Sequence, residues 1–321
     1  MKQFFIRGVG HAHPKNVVTN QLLSDLEIGT NNEWILERVG IRERRTVLPI
    51  DHILLTKNRD RNENLKNIRD EAGKLVEEAV DLALKRAGMG CDDVDLVIAG
   101  GCTPTSLIPS DSATYANRLE MNVPCIDFNA ACSSFTAGVH FARNLFDYRN
   151  ILLINCEVPT AHIDYNDRKN CVLVGDGCGA TILSQDEGIF TVESTMFKSN
   201  PSGCGKVVLP IDGFFHQDGP AVQKFAISHM ISIYNQLNDE KNPSSFIGHQ
   251  ANSNALESVM GRIKILKHYH NIEMYGNTFA AGAPSVISQN YDTFEVGESI
   301  VVATVGSGLS WGGMRIRKIH K

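Results

Sequence analysis

The sequence predicts an α/β fold built from two similar halves. Three observations carry that prediction. Strand-sized apolar runs alternate with segments of helical periodicity, the alternation occurs twice over comparable lengths, and glycine- or proline-rich breakers separate the elements. In the first half, Ala72, Leu75, Val76, Ala79, Val80, Ala83 and Ala87 recur at three- and four-residue steps, and Gly88 and Gly90 stop that helix. Residues 94–99 read as a buried strand. Pro109-Ser110-Asp111 opens a helix to about Met121, residues 123–128 form a second strand, and Phe135, Val139, Ala142, Leu145 and Phe146 mark the helix after Cys132. Residues 151–154 form a third strand. In the second half, Ala221, Val222, Phe225, Ala226, Ile231 and Tyr234 line a helix that stops at Asn242-Pro243-Ser244-Ser245. A strand at 246–248, helices over about 251–265 and 279–289, and strands at 299–305 and 310–317 complete it. Strands alternating with helices predict a parallel sheet covered on both faces. The halves divide as residues 1–184 and 185–321, and residues 51–67, charged and without a clear period, are assigned to a surface excursion.

Composition narrows the function classes. The 321 residues are 42% hydrophobic and 21% charged, the balance of an ordinary globular chain of about two domains. A net charge of −5 argues against a nucleic-acid partner, which needs surplus cations for the phosphate backbone. No apolar run approaches the ~18 residues of a membrane span. Phe4-Phe5-Ile6 stops at Arg7, too short for a secretory leader, so a cytoplasmic protein is expected. Eight cysteines in such a chain are expected to be reduced thiols. No C-x-x-C pair occurs, and His11 and His13 have no cysteine or carboxylate cluster beside them, so no metal site is expected.

In α/β sheets, ligands gather where strand carboxyl ends meet helix N-termini. Three residues fall at such junctions: Cys132 after strand 123–128, His249 after strand 246–248, and Asn277 before the helix from Phe279. A cysteine at a helix N-terminus faces the positive end of the macrodipole, which favours its thiolate, and Ala130, Ala131, Ser133 and Ser134 are small enough to admit a substrate. Cysteine with histidine and asparagine also occurs in papain-like proteases, but their local signature around the cysteine is absent.

Six ordered motifs resemble one family along nearly the whole chain. Asn32-Glu33-Trp34-Ile35 with Gly40-Ile41-Arg42-Glu43-Arg44, Ala130-Ala131-Cys132, Gly175-Asp176-Gly177-Cys178-Gly179-Ala180, His249-Gln250-Ala251-Asn252, Gly276-Asn277-Thr278 and Gly306-Ser307-Gly308-Leu309-Ser310-Trp311-Gly312 resemble the β-ketoacyl-acyl-carrier-protein synthase III condensing enzymes. The resemblance implies a thiolase-like fold, two pseudo-duplicated βαβαβ halves in a layered α-β-α-β-α architecture. It implies an acyltransferase in which Cys132 is acylated by an acyl-coenzyme A primer. A malonyl thioester, on carrier protein or coenzyme A, then loses carbon dioxide and condenses with the acyl group. By the same resemblance His249 and Asn277 hydrogen-bond the thioester oxygen of the enolate, and the backbone N–H groups of Cys132 and Ser307 form the oxyanion hole. Trp34 and Arg38 contact coenzyme A, Asn252 belongs to the binding motif, and Ile108 sits at the bottom of the acyl pocket. The family is homodimeric, with the Ile108 loop reaching the partner. No cofactor beyond the coenzyme A thioesters themselves is implied.

Departures from the family pattern define the alternatives. Asn254 stands where an arginine commonly helps dock the carrier protein, leaving Arg262, Lys264 and Lys267 as another basic patch. Val305 replaces a common phenylalanine, Phe279 a usual serine, and Ile108 the phenylalanine of short-chain enzymes. These departures leave open an acyltransferase of the same fold that passes the acyl group to an amine, a hydroxyl or another acceptor.

Overall fold

A computed structural model describes residues 3–320, with the side chains of all of these except 61–67. Nine strands form its frame: β1 (Phe5–Ala12), β2 (Leu96–Gly100), β3 (Cys125–Phe128), β4 (Asn150–Glu157), β5 (Gly177–Ser184), β6 (Phe190–Ser199), β7 (Ser245–Gly248), β8 (Ser299–Gly306) and β9 (Ser310–Lys318). They hydrogen-bond in the order β7-β8-β9-β6-β1-β5-β4-β2-β3. Both halves use one wiring. In the first, β1 is antiparallel to β5, β5 antiparallel to β4, and β4 parallel to β2, with β3 parallel at the edge. In the second, β6 is antiparallel to β9, β9 antiparallel to β8, and β8 parallel to β7. The blocks join where Phe5 and Ile6 pair with Thr191 and Phe190.

The sheet is therefore mixed rather than parallel. The last strand of each half is reached without an α-helix crossing the sheet and runs antiparallel to its predecessor. The turn between β8 and β9 is the clearest case. Strands β1, β5 and β6 carry no strand expectation from the sequence: Phe4-Phe5-Ile6 breaks off at Arg7, and β5 presents its glycines as a loop motif. Glycine in β1 serves close packing instead. A Cβ at Gly10 would strike the backbone carbonyl of Ala79 on the helix above.

The helices that shape the site are α1 (Asn32–Val39), α2 (Arg61–Ala87), α3 (Asp111–Arg118), α4 (Ser134–Ala142), α5 (Gly219–Leu237), α6 (Ser253–Met260) and α7 (Gly282–Gln289). Helix α2 starts at Arg61 and another helix spans Ile50–Thr56, so most of the supposed excursion at 51–67 is helical backbone. Helical hydrogen bonding needs no apolar stripe, which is why periodicity does not reveal it. At its other end α2 stops where expected, on Gly88 in the left-handed region (φ 62°). Helix α6 ends at Met260 rather than 265. Beyond it Ile263 and Ile265 are half-buried while Arg262, Lys264 and Leu266 are exposed, a two-residue alternation that is not helical.

Helix α2 covers β1 and β5, and α5 covers β8 and β9. Between the two blocks lie α4 and α7, each packed on strands from both halves. Phe135, Val139, Ala283, Val286 and Ile287 from these two helices share one core with Ile6, Leu153, Ile247 and Val302. Each of these side chains larger than alanine contributes about 1.5–3 kcal/mol of burial. Helix, sheet, helix, sheet, helix is thus the layer order. Strand β5 ends at Ser184 and β6 begins at Phe190. Among the described residues no helix is long and apolar enough to cross a membrane.

Asp176, in the glycine motif, ties three segments together. Its fully buried carboxylate accepts the Val47 N–H at 2.8 Å, the Thr160 N–H at 2.9 Å and the Thr160 hydroxyl at 2.5 Å. Burial nevertheless pushes its pKa up to about 6. Asp176→Ala orphans two buried N–H groups and should lower the unfolding free energy by about 2–4 kcal/mol, read as a fall in urea midpoint at unchanged m.

Candidate active site

The first half supplies a thiol on a strained turn. After β3 the chain makes a 3₁₀ turn, Ala131–Ser133, before α4 begins at Ser134. Asn129 Oδ1 accepts the Ala131 N–H at 2.9 Å, and Ala131 adopts φ 49°. The turn's own bonds run from Ser133 N–H to Ala130 O and from Ser134 N–H to Ala131 O, leaving the Cys132 N–H outside them. Gly306, at the end of β8, lies beneath: a Cβ there would sit 2.9 Å from the nitrogens of both Cys132 and Ser133. Ser307 follows, its hydroxyl donating to Val207 O at 2.6 Å, while its N–H has no acceptor among the described residues.

The expectation of a favoured thiolate is overturned. Burial, followed by the Glu157 carboxylate, pushes the Cys132 thiol above the ordinary cysteine range, and only local backbone hydrogen bonding opposes this. A helix terminus contributes about 0.3–2 kcal/mol, less than the desolvation of a buried anion. The resting thiol keeps its proton.

The second half repeats the turn. Asn277 Oδ1 accepts the Phe279 N–H at 3.0 Å, Phe279 adopts φ 48°, and the 3₁₀ turn Phe279–Ala281 leads into α7. Asn129 and Asn277, and Ala131 and Phe279, are therefore structural counterparts. Backbone bonds from Asn277 N–H to Leu173 O (2.8 Å) and from Gly175 N–H to Asn277 O (3.1 Å) pin the residue. Because its carbonyl oxygen is engaged, Asn277 has its amide NH₂ to offer a ligand. His249 follows β7, with Ala251 N–H bonding back to its carbonyl at 2.8 Å and Gln250 bridging Gly248 O (2.7 Å) to Asn271 N (3.0 Å). Its imidazole is buried and has no hydrogen-bond partner among the described residues, and burial lowers its pKa to about 4. It is neutral at physiological pH.

The three turns converge. Ala131–Ser133 packs on Phe279–Ala281, and Gln250 packs on Gly282 at the start of α7. From Asn277 a cleft of about 670 Å³ opens outward past Asn252 to Trp34, Arg38 and Arg168. Asn31 caps α1 by accepting the Trp34 N–H at 2.8 Å. The Arg168 guanidinium lies 5.0 Å and that of Arg38 5.8 Å from the Trp34 ring centre. Asn252 caps α6 by accepting the Ala255 N–H at 3.2 Å, and its amide donates to Arg38 O at 3.4 Å. Asn254 donates to Glu37 O (2.8 Å) and Arg38 O (3.0 Å), so the residue that departs from the family pattern clips α6 to the end of α1.

Ile108 is not at this site within one chain: it is 86% exposed, on the loop between β2 and α3. Arg168 and Glu157 lacked a sequence signal. Arg168 falls in the aperiodic polar stretch 164–170, and Glu157 follows an apolar strand run and a cysteine, so nothing marks its burial.

Comparison with known proteins shows the family. Residues 126–201 match the family described as 3-oxoacyl-[acyl-carrier-protein (ACP)] synthase III, and residues 239–318 match its C-terminal family. The chain is similar to the beta-ketoacyl-[acyl-carrier-protein] synthase III of Oceanobacillus iheyensis, with 30% identity over 97% of this chain and 98% of the relative. The enzyme of that name from Clostridium botulinum is 31% identical, over 98% of this chain and 99% of the relative. Among solved structures, the 3-oxoacyl-[acyl-carrier-protein] synthase III from Aquifex aeolicus superposes with a TM-score of 0.84 at 27% identity, covering 98% of this chain and 99% of that one.

The support beneath the thiol is testable without substrate. Gly306→Ala should displace the Cys132 turn, slow alkylation of Cys132 by iodoacetamide at least about tenfold and cost roughly 1–3 kcal/mol of stability. Alkylation at the wild-type rate would show that the turn tolerates the added carbon.

Proposed function

The chain belongs to the 3-oxoacyl-[acyl-carrier-protein] synthase III family, and from that premise we propose how its residues divide the reaction. It is a condensing transferase that joins an acyl primer to a malonyl thioester. Cys132 sulfur attacks the thioester carbonyl of acyl-coenzyme A. The carbon–sulfur bond to coenzyme A breaks, and the departing thiolate takes up the proton that burial holds on Cys132. A malonyl thioester then enters and places its thioester oxygen between His249 and Asn277. The bond to its carboxylate breaks, carbon dioxide leaves, and the charge of the enolate falls on that oxygen. Two neutral donors suit this step, because each stabilises the anion and neither changes charge at working pH. The enolate carbon attacks the acyl-Cys132 carbonyl, whose oxygen receives the Cys132 and Ser307 N–H groups. Collapse breaks the bond between the acyl carbon and the Cys132 sulfur, releases the 3-oxoacyl thioester and leaves a Cys132 thiolate that takes one proton from solvent.

One observation carries this reading: the Asn277 oxygen is bound by Phe279 N–H, so its NH₂ is left to donate, and His249, whose neighbour Gln250 packs on the start of α7, keeps an unpartnered neutral imidazole. The cleft from Trp34 to Asn277 suits a long thioester, with the indole and Arg168 placed for a flat base and Arg38 for phosphates. Arg262 and Lys264, both exposed, offer an acidic carrier protein the contact that Asn254 does not. Dimerisation completes the acyl pocket. The edge strand β3 carries Ile126 at 55% exposure, and the neighbouring loop holds Leu107 and Ile108 exposed, an apolar face that a second copy would cover with Ile108 entering its pocket.

Incubation with acyl-coenzyme A should add the acyl mass to the Cys132 peptide. Asn277→Ala should retain that adduct yet slow malonyl-dependent carbon dioxide release about 10²–10³-fold, the effect of one lost donor worth ~2.7–4 kcal/mol. No adduct with any primer, or acyl transfer without carbon dioxide release, would favour another acceptor. Ile126→Lys should convert a dimer into the 35.3 kDa monomer by light scattering; a wild-type chain already monomeric removes the dimer from the proposal.

A further inference from the structure

Glu157 ends β4 fully buried, and among the described residues no lysine or arginine pairs with it. Its carboxylate instead collects hydrogen bonds from both halves. Cys102 N–H donates at 3.1 Å, Thr103 N–H at 3.1 Å and the Thr103 hydroxyl at 2.5 Å, all from the loop after β2. Ala280 N–H donates at 3.4 Å from the turn that begins three residues earlier with Asn277. The Cys102 sulfur lies 3.7 Å from the same oxygen, and the electrostatic reach of Cys132 extends to that thiol. The group is thus a shared acceptor, set where the nucleophile's surroundings meet the turn of the enolate donor.

We propose that Glu157 is a positioning residue: one carboxylate holds the Cys102–Thr103 loop and the Ala280 turn in register, so that the two half-sites stay aligned. Both oxygens take part: Oε1 accepts from Cys102 and Ala280 and Oε2 from Thr103, so one buried group ties the loop of one half to the turn of the other. No bond to substrate is required of it.

The proposal rests on Cys132 as the nucleophile, and its failure is separable from that assignment because the wild-type acyl adduct is read first. The acyl mass on the Cys132 peptide after incubation with acyl-coenzyme A is measured beside malonyl-dependent carbon dioxide release. Glu157→Gln replaces one acceptor oxygen by an amide and should keep the adduct while slowing carbon dioxide release at least about tenfold through misalignment of the Ala280 turn. Glu157→Asp keeps the charge but is one methylene short of Ala280, so it should show the same split. Should Glu157→Gln not fold, Thr103→Val, which removes one donor from the loop side, should slow carbon dioxide release by a smaller step with the adduct retained. Wild-type carbon dioxide release in both Glu157→Gln and Glu157→Asp overturns the positioning role, as does an equal loss of adduct and carbon dioxide release. A wild-type Cys132 that takes no acyl group refutes the proposed function instead.

Discussion

Two strand-to-helix turns, one from each half, pack against each other, and the site exists because they can. Each begins with an asparagine whose side chain accepts the N–H two residues on, Asn129 for Ala131 and Asn277 for Phe279. Each then passes through a left-handed residue into a 3₁₀ turn and a buried helix. Contact between the turns requires α4 and α7 to share the central layer, which in turn requires both sheets to present apolar faces to them. Gly306 is the floor of this arrangement, since any side chain there would occupy the space of the Cys132 and Ser133 nitrogens. Duplication has made the geometry symmetric while the chemistry diverged: the position after the left-handed residue is Cys132 in one half and Ala280 in the other.

Burial sets the charge state of the site. Cys132 is pushed up, His249 is pulled down to about 4, and Glu157 is raised to about 7, so at rest thiol and imidazole are both neutral. Withdrawal from water raises the cost of every charge, and the same low dielectric strengthens each hydrogen bond offered to a charge that forms transiently. Neutral donors in a buried site such as this one are suited to a charge of that kind. The helix terminus behind Cys132 remains an attractive field, yet it is the smaller effect here.

Much of the plan was legible in the chain. The helical stripe ending at Ala87, the strands at β2, β4, β7, β8 and β9, and the three junction residues each leave a local trace: a period, an apolar run between breakers, or a reactive side chain beside a cap. Elements whose formation depends on distant partners left none. Strand β5 is buried at every position yet reads as a glycine loop, because its residues are chosen for the helices lying on it. The helical backbone from Arg61 has no apolar face to betray it, and the paired isoleucines at 263 and 265 imitate a continued helix. Ile108 stands exposed, so no packing within the chain marks it.

Residue type and short-range spacing by themselves determined the two-part α/β plan and singled out Cys132, His249 and Asn277, because a thiol, an imidazole and a carboxamide at strand ends can be recognised from a few neighbours. Only the tertiary structure decided the mixed strand directions, the protonated state of Cys132, the clip made by Asn254 and the convergence of both halves on Glu157. Those depend on what surrounds a group after folding, on desolvation and on contacts between residues far apart along the chain, and neither quantity is written in a local pattern.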